Sequence, residues 1–340
     1  MAEKETFLPV TRHSPAATSG RICSAVTLFP FYAAQRLLSC LGYSHSVRMQ
    51  SGRTVAVSSE IAQGGFSFVY KARDTDTGEA FALKKILCQA DEQVQLAKAE
   101  IQAHKAFAHP NIMPLSDYAV VSTAPETFEY YLLFPFMENG TLREMINTAI
   151  SQDVRIPEAH ILDMFLQICR AVAELHSKSP PLAHRDIKVL ENVLLSDEGE
   201  PLLTDFGSAT TADVTITKRA DALLLQEHAA QQSSMAYRAP ELYDVPDNTH
   251  ISSATDVWSL GCLLYAMAFG YSPFECSFYD SGVVRVVECT YLAVIGPIKF
   301  PKNCAYSPKF CEMIRWILTQ DATARPSVFD VIERLHSLNE

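Results

Sequence analysis

The sequence predicts an α+β chain of two lobes, a small antiparallel sheet followed by a larger, mainly helical body. Three observations predict it. Five short stretches rich in β-favouring and apolar residues lie between Thr54 and Phe136, punctuated by Gly and Asp turns. Apolar residues then recur at three- and four-residue steps, at Ile161, Phe165, Ile168, Val172 and Leu175 and again at Val257, Leu260, Leu263, Leu264 and Met267. A length of 340 residues is also too great for one compact core. Apolar residues make up 48% and charged residues 20%, an ordinary globular balance that excludes bulk disorder.

Taken in order, residues 1–50 show no sustained period apart from a short amphipathic run around Phe31 to Leu41, and form an extension. The first lobe is expected over 51–137 and the second over 138–340, with regular structure starting near Gly52. Thr54 to Ile61 is a strand, and Phe66 to Ala72 is its hairpin partner after the Gly64-Gly65 turn. A turn at Asp74 to Gly78 leads to a third strand, Ala80 to Leu87. One main helix, Glu92 to Phe107, is stopped by His109-Pro110, because proline disfavours helix at the residue before it. Two strands follow, near Ile112 to Val121 and Tyr130 to Phe136, completing a five-stranded antiparallel sheet. In the second lobe a long helix starts near Pro157. Ser252 and Ser253 are candidate caps for another helix, and Pro326 opens a last one ending near Leu338.

Net charge is −11, unevenly spread: residues 1–53 hold six basic and two acidic residues, so the remainder carries −15. An acidic body argues against nucleic acid as a partner, since neutralising phosphates needs clustered Lys and Arg. The basic arm suits peripheral contact with an anionic membrane surface as well as it suits a solvated tail. Pro30, Gln35 and Arg36 interrupt the apolar run Ile22 to Leu41, so a spanning helix is not expected there. Nine cysteines, an odd number without a CxxC pair, indicate a reduced, cytoplasmic chain rather than a disulfide framework or zinc module.

The segment richest in chemistry is His184-Arg185-Asp186-Ile187-Lys188, followed 17 residues after Lys188 by Asp205-Phe206-Gly207. Upstream, Ala82-Leu83-Lys84 lies on the third strand and Glu100 on the helix after it. Strand alternation puts Ala82 and Lys84 on one face and Leu83 and Lys85 on the other. Downstream stand Ala239-Pro240-Glu241, then Asp256, then Arg325. Either tripeptide alone is weak, but the ordered set resembles the signature of the protein kinases over about residues 52–338.

The resemblance implies a bilobal protein-kinase fold acting on ATP with Mg2+. Phosphoryl transfer asks for positioning and charge stabilisation rather than covalent work. Asp186 would orient the substrate hydroxyl and accept its proton, and Lys188 would neutralise charge at the γ-phosphate. Asp205 and Asn192 would offer hard oxygens to the metal. Lys84 would grip the α- and β-phosphates, fixed by Glu100. Ile61, Ala62, Gly64 and Val69 would cover the nucleotide, although the glycine-rich loop keeps only its middle glycine, Gly64. Ala82, Phe134, Pro135 and Met137 would frame the adenine, with Phe134 as gatekeeper. Glu241 and Arg325 would form a structural ion pair, and Asp256 would receive backbone N–H groups of the catalytic loop. Lys188 after Asp186, and Ser234 five residues before Ala239, are the choices of kinases acting on protein Ser and Thr. Arg185 suggests control by a phosphate or carboxylate in the activation segment.

At finer scale the chain resembles the Numb-associated kinase family, nearest its myristoylated and palmitoylated branch. The residues behind this are Gly64-Gly65-Phe66-Ser67, Phe81 to Cys88, Leu133 to Phe136, Asp205 to Ser208 and Ala236 to Leu242. This implies a long activation segment, 205–241, with an extra helix before Ser234, and contact with Golgi or other internal membranes through residues 1–50. Two features depart from the pattern. Residue 2 is Ala, which excludes N-myristoylation as written and leaves Cys23 and Cys40 as palmitoylation candidates. Asp186 to Asn192 spans six steps where the family has five, so that Glu191 falls at the metal-binding place. Either a one-residue bulge around Val189-Leu190 restores Asn192, or Glu191 ligates the metal, or activity is impaired. The expected function is therefore a serine/threonine protein kinase, with an ATP-binding pseudokinase scaffold as the alternative. A small-molecule kinase is disfavoured by the full Ala239-Pro240-Glu241 segment.

Overall fold

In the computed structural model the described residues are 45–64, 67–187, 191–279, 281 and 283–338. They divide into two compact units. One holds the described residues up to Leu87 together with Ser116–Phe136; the other holds Cys88–Leu115 and the chain from Met137 onward.

The first unit is a sheet of six strands, one more than the sequence suggests. Its strands are β1 (Ser46–Arg48), β2 (Thr54–Gln63), β3 (Ser67–Asp74), β4 (Ala80–Cys88), β5 (Asp117–Ala124) and β6 (Thr127–Pro135), in the order β1-β2-β3-β4-β6-β5. The additional strand falls within the stretch read as extension, so among the described residues regular structure begins at Ser46 rather than near Gly52. Three residues are too few to show a period, but β1 pairs antiparallel with β2, Val47 opposite Val55. Val47 and Met49 then join Val55, Ala72, Phe81, Leu83, Ala119, Tyr131 and Leu133 in the sheet's apolar core. The fourth expected strand moves from Ile112–Val121 to Asp117–Ala124, and Ile112 makes only an isolated bridge to Leu203.

The second unit begins with α1 (Asp91–Ala106), whose Val94, Ala97, Glu100, Ile101 and His104 are buried at helical spacing. Gln93 Oε1 accepts the N–H groups of Gln89 and Ala90, tying the approach of the chain to the first turn. Next come α2 (Leu142–Ser151), opened by a Thr141–Glu144 capping box, and α3 (Glu158–His176), opened by Pro157 as expected. The activation segment carries α4 (Arg219–Gln232), the extra helix that the resemblance implies. Then follow α5 (Ala254–Phe269), the single-turn α6 (Tyr291–Val294), α7 (Pro308–Ile317) and α8 (Val328–Leu338). The last helix starts two residues beyond Pro326, where Ser327 Oγ accepts from Asp330 N at 3.2 Å.

Helix α5 is more deeply set than its apolar stripe suggests. Every residue from Thr255 to Met267 is buried, so it forms the axis of the helical core with Phe165, Phe310 and Ile317 around it. Gly261 permits this packing: a Cβ there would meet Leu318 at 2.7 Å. Among the described residues no helix is long and apolar enough to cross a membrane.

Candidate active site

In the sheet unit, β4 brings out the alternation read from sequence. Phe81 and Leu83 are 2% and 0% exposed and face the core, whereas Ala82 and Lys84 lie on the other face. Lys85 is committed elsewhere: its Nζ lies 2.6 Å from Glu129 Oε1 and 5.9 Å from the Tyr131 ring. Its role is thus to tie β4 to β6. Across the sheet Lys84 stands opposite Val69, Ala82 opposite Lys71, and Ala62 of β2 opposite Val69. Ile61 is exposed on β2. Gly64 donates its N–H to Ser67 O at 2.7 Å, and a Cβ on Gly64 would sit 2.8 Å from Ser67 Oγ. Phe134 and Pro135 end β6, with Phe134 buried. Met137 opens the segment of the helical unit, where its carbonyl accepts from Gly140 N at 3.3 Å.

In the helical unit, β7 (Leu182–Ala183), β8 (Val193–Leu195) and β9 (Pro201–Leu203) frame the catalytic loop. Asp256 of α5, 0% exposed, anchors it. Its Oδ2 accepts from His184 N at 2.7 Å and its Oδ1 from Arg185 N at 2.9 Å, the role expected of it. His176, at the end of α3, adds a contact of 3.0 Å to Oδ2. Sequence reasoning missed His176, because a histidine ending an amphipathic helix carries no signal of a partner 80 residues away. Burial by itself would raise the Asp256 carboxyl. The His176 hydrogen bond and charge, the charge of His184 and the Arg185 N–H outweigh it and hold the group below the ordinary carboxylate value.

Asp186 is buried, and Ser234 N donates to its Oδ1 at 3.2 Å. Asn192 Nδ2 donates to the Asp186 carbonyl at 2.9 Å, and Thr204 N donates to Asn192 O at 3.0 Å. Asn192 is 4% exposed, whereas the Glu191 side chain is 57% exposed and paired with Arg143 Nε at 3.4 Å. Of the two candidates for the metal-binding place, Asn192 is therefore the one joined to the catalytic loop. Lys188 and the insertion Val189-Leu190 lie outside the described residues, as do Cys23 and Cys40.

Asp205 takes a left-handed backbone, φ 65°, which turns the chain sharply before Phe206. Phe206 is 1% exposed, with its ring 4.8 Å from His104, 5.5 Å from Phe107 and 5.1 Å from His184. A Cβ on Gly207 would lie 3.4 Å from Glu100 Oε2 and 3.5 Å from Asp205 Oδ1, so both carboxylates flank this glycine. Glu100 and Asp205 are thereby brought together, along with Asp186 and Asn192 in the same unit.

The activation segment is closed on itself near its start and tied to the body at its end. Ser208 Oγ contacts Gln232 O and Oε1 at 3.2 and 3.1 Å. Arg325 clasps Glu241 with two bonds, Nη1 to Oε1 at 2.8 Å and Nη2 to Oε2 at 3.0 Å, over the Trp258 ring. That is the ion pair expected from sequence. Arg185 donates to Thr255 Oγ1 at 3.0 Å and to Ala212 O at 2.8 Å. Burial draws its guanidinium below its ordinary value.

Comparison with known proteins agrees with this arrangement. A protein kinase domain model matches residues 55–336. The chain is 34% identical over 352 residues to a probable serine/threonine-protein kinase of Dictyostelium discoideum, covering 85% of this chain and 95% of that one. It is 36% identical over 279 residues to serine/threonine-protein kinase 16 of Homo sapiens, with 82% and 88% covered. Serine/threonine-protein kinase ENV7 of Saccharomyces cerevisiae is 27% identical over 359 residues, with 90% and 97% covered. With a kinase model matched over most of its length and relatives aligned nearly end to end, the chain belongs to the protein kinase family.

Proposed function

We propose that this chain is a serine/threonine protein kinase, transferring the γ-phosphate of Mg-ATP to hydroxyl groups of protein substrates. The observation that carries the reading is the Asn192 Nδ2 bond to the Asp186 carbonyl, which seats the loop despite its extra residue. Asp186 orients the acceptor hydroxyl and takes its proton. Ser234 N, on the Asp186 carboxylate, holds the segment that presents the acceptor beside the base. Lys84 binds the α- and β-phosphates, and Lys188 offsets charge on the transferred group. The Asp205 carboxylate and the Asn192 carboxamide oxygen are hard donors of the kind Mg2+ prefers, so the donor set fits that ion. When bound, Mg2+ neutralises phosphate charge. With its amide nitrogen bonded to Asp186, Asn192 would offer its carboxamide oxygen to the metal.

The alternative, a nucleotide-binding scaffold without turnover, rests on the displaced Asn192 and on a glycine-rich loop that keeps only Gly64; the Asp186 contact favours turnover on the first count. The test is labelled-phosphate transfer from Mg-ATP by the full chain and by Asp205→Asn. Transfer that the substitution abolishes supports the proposal; wild-type protein that binds nucleotide and transfers nothing sinks it. The Numb-associated branch is part of the same proposal, supported by the residues quoted for it and by the extra helix α4. Peripheral attachment to internal membranes through residues 1–50 rests on their basic charge, the Ile22 to Leu41 run and Cys23 and Cys40. A chain starting at His45, which keeps β1, should lose that attachment in cell fractionation. Unchanged distribution would dispose of the idea.

A further inference from the structure

Two thiols outside the catalytic machinery are held in contact. Cys304 Sγ and Cys311 Sγ lie 3.6 Å apart, on the loop before α7 and in the first turns of that helix. The loop between them is pinned independently of the sulfurs. Tyr306 Oη donates to Ile156 O and Ala268 O at 3.3 and 3.2 Å. Glu158 accepts Ser307 N and Oγ, both at 2.7 Å, while Ser307 Oγ caps the helix at Phe310 N at 3.1 Å. The backbone that carries the two sulfurs is thus held in place by the surrounding fold. A disulfide needs about 2.05 Å between sulfurs, so the bond asks the two Sγ atoms, 3.6 Å apart, to close by about 1.5 Å.

We infer that Cys304 and Cys311 are a reversible thiol–disulfide site, oxidised by hydroperoxides. Exposure sets the order of events. Cys304 is half-buried, so it meets the oxidant, whereas Cys311 is 8% exposed. Burial pushes the Cys311 thiol up to about 12, which keeps it protonated and protected until its neighbour is activated. Cys88, Cys169 and Cys262 are fully enclosed, out of reach of a solvent oxidant.

The Cys304 thiolate attacks the outer peroxide oxygen; the O–O bond breaks, and the departing alkoxide or hydroxide takes a proton. This leaves a sulfenic acid on Cys304. Cys311 sulfur then attacks that sulfur and releases its proton, the S–O bond breaks, and water leaves. In sum, two thiols and one hydroperoxide give a disulfide, water and an alcohol or second water. Two electrons pass from the sulfurs to the peroxide.

The full chain, fully reduced and freed of reductant, is treated with hydrogen peroxide and its intact mass and non-reducing tryptic map are recorded. The expected result is loss of two hydrogens, with peptide 303–309 joined to 310–315 and the link reversed by dithiothreitol. Cys311→Ser should stop at the sulfenic acid, trapped on Cys304 by dimedone, and Cys304→Ser should form no link. The inference is overturned if Cys304 accumulates extra oxygens without a link, if another pair loses the hydrogens, or if both thiols survive. The wild-type map decides even where a variant folds poorly. Because the readout is mass, it stands or falls separately from phosphate transfer.

Discussion

Asn192 donates its carboxamide to the main-chain carbonyl of Asp186 across 2.9 Å, although six sequence steps separate them. The neighbouring Glu191, which a count along the sequence would put in that place, turns outward to Arg143. Exchanging the two residues' chemistry should therefore have unequal effects. Asn192→Ala should lower kcat for Mg-ATP-dependent transfer by about 10²-fold or more, while Glu191→Ala should stay within roughly threefold of wild type. Steady-state phosphate transfer checks both. The reverse ranking would give the metal-binding place to Glu191.

The two adjacent lysines of β4 should separate activity from stability. Lys84→Met should abolish transfer with little change in unfolding. Lys85→Met breaks the contact to Glu129 in a site where both side chains are mostly buried, 12% and 15% exposed. It should cost roughly 1–3 kcal/mol in urea unfolding while leaving measurable transfer. If Lys85→Met abolishes transfer in a stably folded protein, the facing of β4 is wrong.

Arg325 has a completely buried guanidinium bonded to both Glu241 oxygens and to three main-chain carbonyls. Arg325→Met should destabilise by about 3 kcal/mol, because Glu241, whose side chain is only 14% exposed, is left unpaired. Arg325→Lys should recover only part of this, since a point charge cannot reproduce the fork. Chemical denaturation reads both; equal stability of the lysine variant and wild type would show that geometry is unimportant there.

Asp256 makes stability depend on acidity. Its carboxyl is lowered in the folded chain relative to 3.8, so the folded state binds that proton less readily than the unfolded one. The stabilisation is fully present above 3.8 and is lost as pH falls below it toward the lowered value. Asp256→Asn should be less stable at neutral pH and should show a shallower loss of stability between about pH 4 and pH 2. Denaturant midpoints across that range decide it, and parallel curves for the two proteins would remove Asp256 from the acid response.

Much of this was legible in the sequence because the chemistry sits in short contiguous runs. Asp186, Asp205, Lys84 and the Glu241–Arg325 pair announce themselves by residue type and order, and strand alternation alone separated Lys84 from Lys85. What stayed hidden depends on closure in three dimensions. Whether Asn192 or Glu191 is seated could not be counted along a loop with an extra residue; it took a hydrogen bond to show it. His176 reaches Asp256 from a different helix, and β1 is too short to carry a period. Arg185 reaches a hydroxyl of α5 and the carbonyl of Ala212, just after β10 (Thr210–Thr211), contacts between residues far apart in sequence that no run of residue types announces.

The short strand β1 bears on how the protein should be handled. The kinase match begins at Val55, nine residues past the start of Ser46–Arg48. A recombinant chain trimmed to that boundary would strip the partner from β2 and take Val47 and Met49 out of the sheet core. The exposed rim of β2 would then offer unsatisfied peptide groups to any neighbouring molecule, an invitation to edge-to-edge clumping. Poor solubility of such a trimmed protein would thus reflect a missing margin of the sheet rather than a defect of the enzyme.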